Sequence, residues 1–311
     1  MTAAPTHLLA VHDLTHDEIL SIFREAAALK AMRRRALPTQ RLSGKTLGLF
    51  FEKPSTRTRV SFETGMNQLG GQSIFLSVAD IQMRRGETVA DTARVLSRYL
   101  DGLVIRAYEH HAVEEWACNA TIPVINGLTD LHHPCQVLSD LFTIREKKRR
   151  WKGIKIAYVG DGNNVANSLI EGAAIMGMTI SVACPSGYEP VASIVEWARA
   201  KAERTKASIE ILRDPYVAVK GADVLYTDVW TSMGQEKEQA RRVQVLASYQ
   251  LNGKLVAAAH PDAIVMHCLP AHRGQEITAD VLDGPQSVVL DQAENRLHVQ
   301  KAILIRLLRD R

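Results

Sequence analysis

The most informative segment for the fold is Thr46-Leu-Gly-Leu-Phe-Phe-Glu-Lys-Pro-Ser-Thr-Arg-Thr-Arg59. It begins with a short apolar run of the length of a buried strand, and a helical pattern follows from about Arg57. The same alternation recurs, because apolar runs at Gly102–Arg106 and Ile154–Gly160 are each followed by a helical pattern. Short apolar strands that alternate with helices indicate parallel βαβ units, in which helices cover both faces of the sheet. We therefore predict an α/β protein.

The length of the chain predicts more than one domain. At roughly 150 residues per domain, 311 residues correspond to about two. The strand–helix alternation starts again after the basic run Lys147–Arg150, which we interpret as a solvated helix end. We therefore predict two doubly wound parallel-sheet domains, each a three-layer αβα structure, at 1–147 and 148–290 and joined by long helices. The C-terminal helix, 291–311, is expected to pack back on the first domain, although its amphipathic pattern alone fits either.

Composition argues against several classes of protein. The 38 basic and 34 acidic residues give a net charge of only +4, and aromatic residues make up 5%, so we expect no nucleic-acid partner. No apolar run approaches the ~20 residues of a membrane span, and the polar first 19 residues do not predict a signal peptide. The four cysteines form no C-x-x-C pair. Reduced thiols and a cytoplasmic location are therefore expected.

The segment Ser55-Thr-Arg-Thr-Arg59 lies where the first predicted strand gives way to a helix. A helix N-terminus presents unpaired N–H groups and the positive end of the helix dipole, and the hydroxyls and guanidinium groups add further donors. It is not a P-loop, because no glycines and no Gly-Lys-Ser/Thr sequence are present. Arg106 ends another strand, at the edge where open parallel sheets bind ligands. The sequence therefore favours an anion site here.

Two other loops contain residues that are typical of a metal site or a cofactor site. His132-His133-Pro-Cys135-Gln136 contains good zinc ligands, but adjacent side chains diverge, so we favour hydrogen-bond donors over a metal. Gly160-Asp-Gly-Asn-Asn164 follows a strand like a dinucleotide-binding turn. Its third glycine and the acidic residue about 20 positions on are missing, so a nicotinamide cofactor is not expected. We predict neither a cofactor nor a metal.

Two late loops also follow predicted strands. Taken alone, Asp228 is best interpreted as a loop or cap residue, and Cys268 as a small buried side chain. Met233-Gly234 in a polar loop suggests a flexible lid.

Taken together, these segments resemble the aspartate/ornithine transcarbamoylase family, and most closely its ornithine-specific branch. The resemblance rests on Ser55–Arg59, His133-Pro-x-Gln136, Asp228 with Ser232-Met233-Gly234, His267-Cys-Leu-Pro270 and Glu294-Asn-Arg296, in family order over nearly the whole chain. It implies a carbamoyl-phosphate domain, an amino-acid domain and a homotrimer with shared active sites.

The resemblance also implies roles for single residues. The phosphate would be held by Ser55, Thr56, Arg57 and Thr58. The carbamoyl group would be held by Arg106, His133, Gln136 and Arg296, and Gln82 would reach a neighbouring subunit's active site. The amino acid would be bound by Asn164, Asp228, Ser232 and Met233, while Cys268 and Leu269 border the reacting groups. The residues with a catalytic role would be Arg57, Arg106, His133 and Cys268.

The implied reaction is carbamoyl transfer from carbamoyl phosphate to the side-chain amine of L-ornithine, which gives L-citrulline and phosphate, as in arginine biosynthesis or a urea-cycle-type step. A carbamoyltransferase for putrescine or N-acylated ornithine is the nearest alternative. Two other classes remain: a metal-dependent hydrolase built on the histidines and cysteines, and a non-catalytic sensor on the same fold.

Overall fold

The chain folds into two compact units. The computed structural model describes residues 7–77, 82–231, 234 and 236–309. One unit comprises Met1–Ser139 and Asn295–Arg311, and the other comprises Asp140–Glu294. Both divisions fall inside long helices, Pro134–Lys148 and Val289–Leu308. The predicted limits at 147/148 and 290/291 stay predictions, since a helix shared by two units offers no single boundary.

The N-terminal unit is built on a four-stranded sheet. Its strand order is β2-β1-β3-β4, and every neighbouring pair is parallel. The strands are β1 (Thr46–Phe51), β2 (Gln72–Ser77), β3 (Gly102–Arg106) and β4 (Val124–Leu128), and the helices are α1 (His16–Arg34), α2 (Thr56–Gln68), α3 (Val89–Leu96), α4 (His110–Asn119), the start of α5 (Pro134–Lys148) and the end of α12 (Val289–Leu308).

The central strands of this sheet are buried because helices lie on their apolar side chains. Every residue of β3 is buried, as are the last five residues of β1. Phe50 packs against Trp116 of α4 with ring centroids 5.2 Å apart. Near-continuous apolar strands of this kind are typical of parallel sheets covered on both faces. The carboxyl ends of β1 and β3 therefore lie side by side, paired at Phe51 and Arg106.

The C-terminal unit contains a second parallel sheet, of five strands in the order β7-β6-β5-β8-β9. The strands are β5 (Lys155–Val159), β6 (Thr179–Ala183), β7 (Ser208–Leu212), β8 (Val224–Thr227) and β9 (Ile264–His267), and the helices after α5 are α6 (Asn164–Met176), α7 (Ala192–Thr205), α8 (Pro215–Val219), α9 (Gln239–Leu246), α10 (Gly253–Ala257) and α11 (Ala279–Leu282).

The predicted fold class is confirmed, because both sheets are parallel and flanked by helices. Strand β7 was not predicted. It is an edge strand with only one buried residue, Ile209, so its apolar signal is weak. Among the described residues, none of the helices combines the length and apolar character that a bilayer crossing requires.

Candidate active site

The first cluster of predicted site residues lies where α2 begins. Ser55 caps the helix, because its Oγ accepts a hydrogen bond from the Thr58 N–H at 3.2 Å. Thr56, the first residue of α2, is exposed, and Arg57 is half-buried. The helix therefore presents N–H groups at its positive dipole end, with hydroxyls and a guanidinium group beside them. This is the arrangement that the sequence predicts for an anion site.

Arg296 of α12 ties this helix start to α5. One of its terminal nitrogens donates to Gln136 Oε1 at 2.6 Å, and the other donates to Thr58 Oγ1 at 3.1 Å. Its Nε donates to Gln300 Oε1 at 3.2 Å. These four side chains are buried. A guanidinium group in which each of the three nitrogens donates one hydrogen bond in this way is fixed in position.

His133 lies in the same positively charged cluster. Its side chain is buried, and burial is the main reason why its pKa lies well below the usual value. The charges of Arg296, Arg106 and Arg57 lower this pKa further. The imidazole is therefore neutral at neutral pH and has one N–H to donate. The structure thus brings together His133 and the three arginines that the sequence singled out.

Other cations nearby have different partners. Arg59 donates to Glu63 at 2.9 Å and stacks 3.7 Å from the centre of the Phe75 ring. Lys53 lies 4.1 Å from the centre of the Tyr108 ring, and burial, followed by the charge of Arg106, lowers its pKa. Of the two arginines in the 55–59 segment, only Arg57 therefore belongs to the cluster.

Gln82 lies outside this group of described contacts. It is exposed, at the beginning of the short 3-10 helix Gln82–Arg85. An exposed position is compatible with the contact to a neighbouring subunit that the family resemblance implies.

The second cluster lies in the C-terminal unit, around Asp228, which follows β8. One carboxylate oxygen, Oδ1, accepts from the Cys268 thiol at 2.8 Å, and Oδ2 accepts from Asn163 Nδ2 at 2.7 Å. The Val229 N–H also donates to Oδ1, at 2.8 Å. Asp228 is buried. It is thus a positioned acceptor rather than the simple loop residue that it resembles when taken alone.

Asn163 was not among the predicted site residues, which include its neighbour Asn164. Asn163 caps α6, since its Oδ1 accepts from the N–H groups of Val165 and Ala166. Asn164 is the first residue of α6 and is half-buried. The preference of asparagine for the position before a helix was the signal that could have identified Asn163. The other predicted amino-acid ligands, Ser232 and Met233, lie outside the described residues.

The turn after β9 carries Cys268 and Leu269. Leu269 has a φ of 58°, in the left-handed region that residues other than glycine rarely adopt. Its N–H donates to Nδ1 of His267 at 2.8 Å, so the His267 side chain caps the turn.

The glycine-rich turn before α6 packs closely against another segment of the chain. A Cβ on Gly162 would lie 2.2 Å from the Pro190 nitrogen, and the Gly162 N–H donates to the Tyr188 carbonyl at 2.8 Å. The glycine therefore makes room for a neighbouring protein segment. The preceding residue, Asp161, forms a buried ion pair with Arg242, and burial raises the pKa of Asp161 to about 6.

One group of side chains in the C-terminal unit has the donor types of a metal site. Ligand atoms of Asp228, His267 and Cys268 all lie within 4.8 Å of one another. However, both ring nitrogens of His267 take part in hydrogen bonds, to Leu269 and Glu276, and the thiol donates to Asp228. A bound metal would have to displace these contacts, so the arrangement fits hydrogen bonding better than coordination.

Comparisons with known proteins match the two clusters to two different domains. The profile described as aspartate/ornithine carbamoyltransferase, carbamoyl-P binding domain, matches residues 6–146, and the corresponding Asp/Orn binding domain matches residues 152–307. The chain therefore belongs to the aspartate/ornithine carbamoyltransferase family.

Its relatives include an ornithine carbamoyltransferase of Syntrophus aciditrophicus, 58% identical over 96% of this chain and 97% of that protein. The anabolic ornithine carbamoyltransferase of Pyrococcus furiosus is 53% identical over 98% of this chain and 96% of that protein. A solved structure of ornithine carbamoyltransferase from Pyrococcus furiosus superimposes with a TM-score of 0.96 at 52% identity, covering 100% of this chain and 99% of that one.

Proposed function

We propose that this protein transfers the carbamoyl group of carbamoyl phosphate to the side-chain amine of L-ornithine, giving L-citrulline and phosphate. The observation that carries this proposal is the chemistry of the two clusters. The cationic cluster at the start of α2 falls in the segment that matches carbamoyl-phosphate-binding domains. The Asp228–Cys268 cluster falls in the segment that matches aspartate- or ornithine-binding domains. Relatives matched over nearly their full length are named ornithine carbamoyltransferases.

At the phosphate end, the proposed ligands are Ser55, Thr56, Arg57 and Thr58. The helix N-terminus supplies N–H donors, and Arg57 supplies a charge for the dianion. Thr58 Oγ1 accepts from Arg296, so its hydroxyl proton can be donated to the ligand.

At the carbamoyl end, the proposed ligands are Arg106, His133, Gln136 and Arg296. Negative charge grows on the carbonyl oxygen as the amine attacks, and positioned donors stabilise such charge by up to a few kcal/mol each. The neutral His133 can donate one N–H, and Arg106 donates without losing its charge. Because Arg296 is already fixed by Gln136 and Thr58, little reorganisation is needed when the substrate binds.

At the amino-acid end, the proposed ligands are Asn164, Asp228, Ser232 and Met233, with Cys268 and Leu269 bordering the reacting groups. Asp228 is assigned to the α-ammonium group of ornithine, because it is a buried carboxylate held in place from two sides. Such pairing would leave the side-chain amine as the nucleophile.

The proposed reaction is a balanced acyl transfer. The amine nitrogen forms a bond to the carbonyl carbon, and the bond from that carbon to the bridging oxygen breaks with its electron pair leaving on phosphate. The amine proton is transferred to a phosphate oxygen. An alkylammonium has a pKa near ~10.4, so only about one ornithine in a few thousand carries a neutral side-chain amine at pH 7. Burial beside the arginines is proposed to favour the neutral, reactive form.

Assembly and location are part of the same proposal. The proposed assembly is a homotrimer in which Gln82 completes a neighbouring active site; the family resemblance supports it, and the exposure of Gln82 leaves this side chain accessible to a neighbour. A role in arginine biosynthesis is supported by the relative named as anabolic. A cytoplasmic location is consistent with four free cysteines among the described residues.

The test is an assay of ureido products with carbamoyl phosphate and four amines side by side: ornithine, putrescine, aspartate and N-acetylornithine. We expect citrulline from ornithine, at a rate at least about a hundredfold above the other three, because the α-carboxylate and α-ammonium groups both contribute binding energy. A preference for putrescine or N-acetylornithine would favour the alternative substrates. Failure to form any ureido product would refute the proposal.

A further inference from the structure

The hydrogen bonds of His267 define the tautomer of its ring. Nδ1 accepts from the Leu269 N–H and so carries no proton, which places the proton on Nε2. Nε2 lies 3.3 Å from Oε1 of Glu276, and both side chains are completely buried. The pattern therefore assigns an Nε2–H imidazole that donates to Glu276 and accepts from the turn carrying Cys268 and Leu269.

Glu276 is itself held firmly. Its Oε1 accepts from the His272 N–H, and its carbonyl accepts from the Leu251 N–H at 2.9 Å. Burial raises its pKa, but the hydrogen bonds from His267 and from the His272 backbone outweigh burial, so the pKa lies below the usual value. Glu276 is thus an ionised acceptor, fixed in the protein interior.

The end of β9 has a second support that does not involve Glu276. The His267 N–H donates to Gln292 Oε1 at 3.0 Å, and Gln292 Nε2 donates to Asp140 Oδ1 at 2.8 Å. The Glu276 carboxylate instead contacts the His267 ring and the His272 backbone N–H.

We propose that Glu276 is a positioning residue for the amine side of the site. Its carboxylate holds His267 in the Nε2–H form, and this leaves Nδ1 as the acceptor that keeps Leu269 in its left-handed conformation. The turn that carries Cys268 and Leu269 then directs the Cys268 thiol to Asp228. The kinetic part of this inference rests on the proposed function, because the kinetic effects are measured with ornithine as the substrate.

The test compares Glu276→Leu, which removes the acceptor, with Glu276→Gln, which keeps a carbonyl oxygen in its place. The matched control is Asp283→Asn, because Asp283 forms an exposed ion pair with Arg273 in the same region. The readouts are the ring ¹⁵N chemical shifts of labelled histidine, with His267 assigned from a His267→Asn spectrum, and steady-state kinetics with ornithine.

For Glu276→Leu we expect the His267 ring to show mixed tautomers, kcat/KM for ornithine to fall at least about thirtyfold, and the Kd for carbamoyl phosphate to stay within about twofold. Glu276→Gln should restore the Nε2–H tautomer and bring kcat/KM to within about fivefold of wild type. The control should match wild type. An unchanged tautomer with unchanged kinetics in Glu276→Leu overturns the proposal, as does an equal loss of carbamoyl-phosphate binding.

If Glu276→Leu does not fold, two variants of His267 decide. Asn places an oxygen near the position of Nδ1, whereas Gln reaches only toward that of Nε2, so His267→Asn should keep at least about tenfold more ornithine activity than His267→Gln. Equal or reversed activities overturn the proposal. If the wild-type protein forms no citrulline, the proposed function fails, whereas the tautomer in Glu276→Leu still decides the role of Glu276.

Discussion

Replacing Asp228 by asparagine tests the amino-acid end of the site most directly. The substitution keeps size and shape but removes the charge assigned to the α-ammonium group of ornithine. The carboxylate accepts from both Cys268 and Asn163. An amide at position 228 has only one oxygen, so its NH₂ group would face a donor on one side.

The size of the effect follows from the burial of this carboxylate. Two unit charges 4 Å apart interact by about 4 kcal/mol at an effective dielectric constant of 20, and desolvation offsets part of this attraction. Hydrogen bonds to charged groups contribute about 1.5–3 kcal/mol net. Since each 1.4 kcal/mol is tenfold, we expect Asp228→Asn to raise the ornithine KM by about 10- to 150-fold.

The assay is citrulline formation at saturating carbamoyl phosphate, with ornithine varied, alongside a calorimetric titration of carbamoyl phosphate. The titration should give a Kd within about twofold of wild type, because the Asp228 charge is assigned to ornithine alone. Asp262→Asn is the matched control, since Asp262 is an exposed aspartate of the same unit. An ornithine KM within about threefold of wild type in a folded Asp228→Asn protein would refute the assignment.

The other predictions concern anion binding, the thiol, pH and metals. Arg57→Gln should weaken carbamoyl-phosphate binding at least about a hundredfold by calorimetry, while Arg59→Gln stays within about threefold, and equal effects would contradict the phosphate assignment. Cys268→Ala removes one donor to the buried carboxylate and should raise the ornithine KM about 5- to 10-fold, measured by citrulline formation. Burial lowers the pKa of His132 to about 3, so below pH 6.5 the unfolded chain takes up a proton that the folded chain does not. The contribution of this histidine to the free energy of unfolding, measured in urea, should be constant above pH 7 and fall by about 1.4 kcal/mol per pH unit between pH 6.5 and 5. The fall should be shallower in His132→Asn, and equal slopes in the two proteins would contradict the lowered pKa of His132. Dialysis against a strong chelator should leave the activity unchanged. Loss of activity would favour the alternative of a metal-dependent hydrolase.

Local pattern was enough to predict the fold class. The strands β1, β3 and β5 are short apolar runs that end in polar loops. Because nearly all of their residues are buried, the apolar pattern alone predicts where these strands lie. Strand β7 was missed because it lies at the sheet edge, where few of its residues are buried. Burial depends on neighbours that are distant in sequence, and periodicity does not reveal them.

The site was predictable where a motif is contiguous and less so where partners are distant in sequence. The start of α2 is a continuous run, and its capping by Ser55 follows from residue type alone. The contacts from Arg296 to Thr58 and Gln136 span 238 and 160 residues, and they were not predicted. The family resemblance gave each of the three residues a role towards carbamoyl phosphate, but no contact with one another. Glu276 gave no signal, because its role depends on burial beside His267.

The close approach at Gly162 has a consequence for redesign. Its neighbour Pro190 lies where the first atom of any side chain at position 162 would have to be. Even alanine at position 162 would have to push the backbone of Glu189 and Pro190 away. An engineer who wished to vary this turn would therefore have to rebuild the segment around Pro190 before changing the turn itself.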